Sequence, residues 1–294
     1  MWLIFTIVNW YLKNRNLSLR LCINKLLYCE GSMMKTIFKI FIIGAITTIF
    51  RIIGQVLIPP GSQNVLLPSI FVENGTLPLV FSIYGFFAYS FISMMFLLIG
   101  NQLSGNKIMQ GLKYGLFCYF IWVVYLLEPL PHVSPIDTIT YPAADGLALV
   151  VMGIMLGLML GENKPSIKNN KSRYNIIPLI NIILSFIVGR LIQYLIFGIY
   201  SSFSSKKIET LGWCILTGFV IACTLIWINK YVKQENFIKR ALILGCLLFG
   251  LNLTLFNFFM PLVFDADILD LILRTVIDFS AVTIGCLSFR KYKI

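Results

Sequence analysis

Five charged side chains sit inside long apolar runs of this chain: Arg51, Asp145, Arg190, Arg274 and Asp278. A charge at the centre of a bilayer costs at least ~2.5–3.5 kcal/mol on insertion scales, so each of them needs a partner or a task. Two of the arginines are followed about one helical turn later by an amide, Gln55 after Arg51 and Gln193 after Arg190. Groups of this kind bind a polar or charged small molecule, relay protons, or neutralise one another. Asp270, Arg274 and Asp278 are spaced i, i+4, i+8, which puts alternating charges on one helix face. The candidate set for binding a solute or protons is therefore Arg51, Gln55, Asp145, Arg190, Gln193, Arg274 and Asp278. The economical pairing is Arg51 with Asp145, and Arg190 with Asp278 or within a network that includes Arg274.

No residue presents itself as catalytic, cofactor-binding or metal-ligating. The sequence holds no P-loop, no G-x-G-x-x-G, no H-E-x-x-H and no G-x-S-x-G. ATP-driven or soluble-type hydrolytic chemistry has no support, so the expectation is a non-enzyme without cofactors. Only the acidic group Asp265, Asp267 and Asp270 hints at an alternative, an enzyme acting on lipid. The seven cysteines lack C-x-x-C spacing and a nearby histidine, and five of them stand singly in apolar runs. They read as small buried hydrophobes. The single histidine, His132 in EPLPHVSPID, reads as a solvated loop residue.

The elements that must position these side chains follow from composition. The chain has 294 residues, 58% hydrophobic and 12% charged, against roughly 25% charged in soluble domains. That makes an all-α, polytopic membrane protein. Eight helical spans fit the hydropathy, at 36–58, 78–100, 109–128, 143–161, 175–199, 210–229, 239–260 and 269–289, each close to the ~20 residues a bilayer requires. The net charge of +12 serves topology rather than nucleic acid. Fifteen lysines and arginines fall on one side of the implied membrane and only Lys206 and Lys207 on the other. Both termini are then expected in the cytoplasm of a bacterial inner membrane, with all five intramembrane charges in the outer half.

The halves look alike. Asp137 aligns with Asp270 and Asp145 with Asp278, each pair 133 residues apart, and Arg51 aligns with Arg190 at 139. Two four-helix repeats of the same orientation, 34–162 and 175–294, joined by a polar cytoplasmic linker at 163–174, account for this. Residues 1–33 are expected to be a non-native extension, since Glu30-Gly31-Ser32 ahead of Met33 and Met34 matches the coding of a ribosome-binding site. Gly153, Gly157 and Gly161 recur every four residues, the mark of close helix packing. Asn252, Thr254 and Asn257 read as interhelical glue.

FIIGAITTIFRIIGQVLIPPGS, with MQGLKYGLFCYFIWVVYLLEPL and a polar last helix, resembles the layout of the YagU-like bacterial inner-membrane family. Arg51, Gln55, Pro59, Pro60 and Gln110-Gly111-Leu112 carry the likeness. It covers the first repeat; family members have an acidic residue where Gln55 stands, and half as many spans. The resemblance implies a membrane protein linked to acid stress. Taken together, the sequence points to a membrane protein that binds or transports a small polar solute or protons through an outer-leaflet Arg/Asp cluster. The alternative is a structural or stress-related membrane protein with closed salt bridges and no substrate. The lipid bilayer is its expected partner, a homo-oligomer is open, and no nucleic acid is expected.

Overall fold

The computed structural model describes residues 22–58, 61–163 and 176–289, with side chains from residue 33 onward. Most of the expected extension, Pro59 and Pro60, nearly all of the linker and the last basic residues lie outside the described residues. The described chain is helical, with one isolated bridge between Pro68 and Phe264. Its elements are α1 (Cys22–Leu57), α2 (Ile70–Glu73), α3 (Leu77–Ile99), α4 (Lys107–Leu126), α5 (Asp137–Leu160), α6 (Ile176–Ile192) and α7 (Lys207–Asn229). There follow α8 (Phe237–Ala241), α9 (Asn252–Asn257), α10 (Met260–Val263) and α11 (Ile268–Cys286). A π-helical turn, Gln193–Phe197, extends α6, and a longer π stretch, Leu242–Leu251, joins α8 to α9.

Among the described residues seven helices are long and apolar enough to cross a membrane, from Met33–Leu57 to Phe237–Val263. The last long helix, α11, is not among them, because Asp270, Arg274 and Asp278 interrupt its apolar run. Polar side chains start the elements where the sequence supplies them. Asn106 caps α4 by accepting from Met109 N, Asn236 caps α8, and Asp267 caps α11. The helix expected at 143–161 starts six residues sooner, at Asp137, and runs through Pro142. Asp137 Oδ2 accepts from Ser134 N and Ser134 Oγ, which anchors this early start.

Within the first half, α1 packs on α3 and α5, and α4 packs on α5. Within the second half, α6 packs on α7 and α11, and the π stretch Leu242–Leu251 packs on α11. The closest crossing is α4 on α5, where Gly111 and Gly115 meet Gly153 and Gly157. A Cβ on Gly111 would lie 1.9 Å from the Gly153 carbonyl oxygen, so only glycine admits this approach. The glycine face seen in the sequence is thus an internal seam. The halves are joined by hydrogen bonds from buried rings: Trp122 Nε1 donates to Asn252 Oδ1 at 2.8 Å and Trp213 Nε1 to the Val124 carbonyl at 2.6 Å. Tyr84 Oη donates to the Leu255 carbonyl at 2.8 Å.

The connections sort onto two ends. At one end Ser69 N donates to the Val263 carbonyl, Asp265 N to that of Leu67, and Gly61 N to Asp137. His132 meets Tyr200 and Phe264 at the same end. At the opposite, lysine-rich end Lys39 Nζ donates to the Met159 carbonyl and Lys113 Nζ to that of Ser104. Gly111→Ala should destabilise the protein by about 1–3 kcal/mol, as overpacked interiors do. Gly212→Ala faces open space and should be neutral or stabilising by up to ~1 kcal/mol. Thermal unfolding of the two variants in detergent checks the contrast.

Candidate functional site

Arg51 leaves α1 one turn beyond Thr48, near the end where the connections gather, and points toward α5. Its Nε donates to Asp145 Oδ1 and its Nη1 donates to Gln55 Oε1 at 2.8 Å. The guanidinium lies 5.8 Å from the centre of the Phe81 ring. Gly54 faces Ala144 on α5, next to Asp145, where an added Cβ would make an ordinary contact at 3.4 Å. Arg51 and Asp145 are buried, at 7% and 4% exposure.

The second cluster is larger and tighter. Arg190 Nη2 donates to Asp278 Oδ2 at 2.7 Å, and Arg190 Nη1 to Glu128 Oε1 at 3.2 Å. Arg274 Nη1 donates to Glu128 Oε2 at 2.9 Å, and its Nη2 to the Tyr200 carbonyl. Gln193 Nε2 donates to Asp278 Oδ1 at 2.7 Å, and Tyr125 Oη to Asp278 Oδ2 at 3.0 Å. The π turn that begins at Gln193 sets its amide against both Asp278 and the Arg274 carbonyl, and the turn ends at Gly198 with φ +60°. The rings of Tyr125, Phe186 and Trp213 surround the Arg190 guanidinium at 5.3, 5.5 and 4.7 Å. Arg190, Asp278 and Gln193 are each 0% exposed. Two guanidinium and two carboxylate groups cancel, which is what makes burial of so many charges tolerable.

Both expected pairings are present, and Gln55 and Gln193 both join them. Glu128 departs from expectation. Beside Pro129 it reads in the sequence as a helix end among the outer acidic residues, whereas it is buried between two arginines. The sequence carried no signal for it, because Asp270, one turn before Arg274, already balanced the count; in the structure Asp270 accepts from Tyr200 N instead. His132 departs too. It is half-buried, stacked on Tyr200 at 5.7 Å, with its Nδ1 3.0 Å from Tyr200 Oη.

A cavity of about 510 Å³ lies between the halves near the end where these connections meet. Arg51, Gln55 and Asp145 line one side, and Glu128, His132 and Arg274 another. Its remaining walls are mostly apolar, with Phe81, Trp122, Tyr125, Phe256 and Phe259 prominent. The size falls within the ~300–1,000 Å³ typical of small-molecule sites. Arg190, Gln193 and Asp278 do not line it. One charge pair therefore faces a cavity while its counterpart is sealed. Asn252 accepts from Trp122, and Asn257 Nδ2 donates to Thr275 Oγ1 at 2.7 Å, so both act between packed elements. Among the described residues no three His, Cys, Asp or Glu side chains group to hold a metal ion.

No protein family, curated protein or solved structure matches this chain. The likeness to the YagU-like family rests on its few residues alone.

Two outcomes follow from the geometry. Arg190→Met strands Asp278 and half of Glu128 and should cost about 3–5 kcal/mol, as does breaking other buried pairs. Arg51→Met should cost less, since Asp145 can be solvated from the cavity; folded yield and unfolding temperature of the two variants rank them. Burial, and then the Arg274 guanidinium, push the His132 imidazolium down to about 4 from the usual 6.5. Between those values the unfolded chain binds a proton that the folded chain refuses. Stability is thus fully present above about pH 6.5 and is lost as pH falls toward 4. His132→Gln should flatten that slope in unfolding curves taken across this range.

Proposed function

We propose that this chain is a membrane protein of two four-helix repeats that holds a small molecule in the cavity between them, as a transporter or carrier does. One observation carries the reading: Arg51, Gln55 and Asp145, an intramembrane polar trio, line a cavity of small-molecule size. Intramembrane charges that face a cavity mark solute and ion pathways. In this reading α11 is the eighth span, its charges turned inward against α6. The lysine-rich end faces the cytoplasm, by the positive-inside bias, and the cavity faces the opposite side.

Repetition is supported by more than the charge pairs. Asp137 accepts from Gly61 N at 2.7 Å, and Asp270 accepts from Tyr200 N at 3.1 Å. Gly61 lies ten residues after Arg51, and Tyr200 ten after Arg190. Each half thus ties its first helix, and the loop that follows, to the last helix through two aspartates 8 residues apart. The alternative, a structural protein of closed salt bridges, is favoured by the second cluster taken alone, because nothing about Arg190 or Asp278 is accessible. The two readings divide between the halves, and the first half bears the activity.

The test is access. With Ser82→Cys or Tyr141→Cys, both cavity positions, a membrane-impermeant thiol reagent should modify the new cysteine from the side opposite the lysine-rich loops. Mass spectrometry of right-side-out and inverted vesicles reads the modification. Protection of both positions from both sides would refute a solute cavity and leave the structural reading.

A further inference from the structure

The cavity is not equally polar around its rim, and the difference points to a class of ligand. On the side of the second half every charged group already has a partner, and the one orphan donor among those groups, Arg274 Nε, is buried away from the space. Both oxygens of Glu128 accept from arginines, and Arg274 donates to Glu128 and to the Tyr200 carbonyl. His132 Nδ1 is engaged with Tyr200 Oη. On the side of the first half the trio is only part-used. Arg51 Nε bonds Asp145 Oδ1 and Arg51 Nη1 bonds Gln55 Oε1. Arg51 Nη2, Gln55 Nε2 and Asp145 Oδ2 have no hydrogen-bond partner among the described residues. Two donors and one acceptor are thus offered at a single place on a mostly apolar wall.

Charge sets a second constraint. Arg51 is balanced by Asp145, and Arg274 by Glu128, so the lining is neutral pair by pair. A net charge brought into this low-dielectric space would have to be desolvated without a free counter-charge to meet it. Apart from Ser82, Tyr141, Asn257 and the partnered Glu128, His132 and Arg274, the rest of the wall is aromatic and aliphatic, and a sugar or hydrated ion would leave most of its polar groups unpaired against it. The apolar area is large relative to the one polar spot with unpaired groups, the opposite of what a site for a hydrophilic solute needs.

Resting on the proposal that this cavity holds a ligand, we infer that the ligand is an uncharged amphiphile: an apolar body against Phe81, Trp122, Phe256 and Phe259, and one head that both donates and accepts, such as a hydroxyl or carboxamide. The head donates to Asp145 Oδ2 and accepts from Arg51 Nη2 and Gln55 Nε2. The inference narrows the expectation from sequence, a small polar solute or protons, to a molecule that is mostly apolar.

The experiment uses the full chain in proteoliposomes, with Ser82→Cys as reporter and the wild-type chain as baseline. Modification at residue 82 by the impermeant thiol reagent is followed while small molecules compete. Decanol and decanamide should slow it saturably. Decane, which partitions into the bilayer but has no head, and the charged decanoate and decylammonium should need about tenfold higher concentrations. Glycine, glucose and phosphate should have no effect. In a Gln55→Leu background, which leaves the Arg51–Asp145 pair intact, protection by decanol, read relative to that variant's own unprotected rate, should weaken several-fold.

Protection by glycine, glucose or phosphate without protection by decanol would overturn the amphiphile and leave the solute cavity standing. Equal protection by decane and decanol, or by decanoate and decanol, would overturn the neutral head. If neither Ser82→Cys nor Tyr141→Cys is modified from either side, the solute cavity itself fails, and the ligand assignment with it.

Discussion

An arginine cannot discard its proton in a protein interior, so wherever it is buried a carboxylate must reach it. In this chain that requirement decides which helices touch. Arg51 on α1 is satisfied by bringing α5 alongside, and Arg190 on α6 by bringing α11 and Glu128, just past the end of α4. Without the pairs each half would be a set of apolar helices with little to choose between neighbours, since lipid tails compete with leucine on equal terms. Glycine contacts then set how closely the chosen helices approach. The Gly111 and Gly153 seam holds α4 on α5, and Gly245 meets Thr283 at the comparable crossing of the π stretch with α11.

The two halves meet the same requirement with different degrees of closure. In the second, Asp278 takes three donors, Glu128 bridges two arginines, and three rings close around Arg190. The network is closed to space rather than saturated, since Arg190 Nε, Gln193 Oε1 and Arg274 Nε are buried without a hydrogen-bond partner. In the first, only Gln55 assists the pair, and one face of the trio borders the cavity. The borrowed residue explains part of this asymmetry. Glu128 sits at the end of α4 in the first half but neutralises the second, so the first half gives up a carboxylate to its neighbour.

Much of this was legible from the residues. A buried charge in an apolar run is so costly that its presence alone called for a partner, and Arg51 with Asp145 and Arg190 with Asp278 were readable from type and spacing. The i, i+4, i+8 spacing on α11 put three charges on one face, and the glycine period foretold a tight seam. What the residues could not show was Glu128 turned inward, because a glutamate followed by prolines looks the same whether its carboxylate points to water or to an arginine far along the chain. His132 was opaque for the same reason, its partners Tyr200 and Phe264 being distant in sequence.

By itself, then, the sequence determined the helical, membrane-compatible architecture and the local bookkeeping of charge, because those depend on hydropathy and on the self-energy of an ion. The tertiary structure alone decided which charges are sealed and which border space. Accessibility depends on how elements from both halves pack around a group. Trp122, Phe256 and Phe259 meet near Arg51, while Tyr125, Phe186 and Trp213 close over Arg190. No run of neighbouring residues encodes that difference.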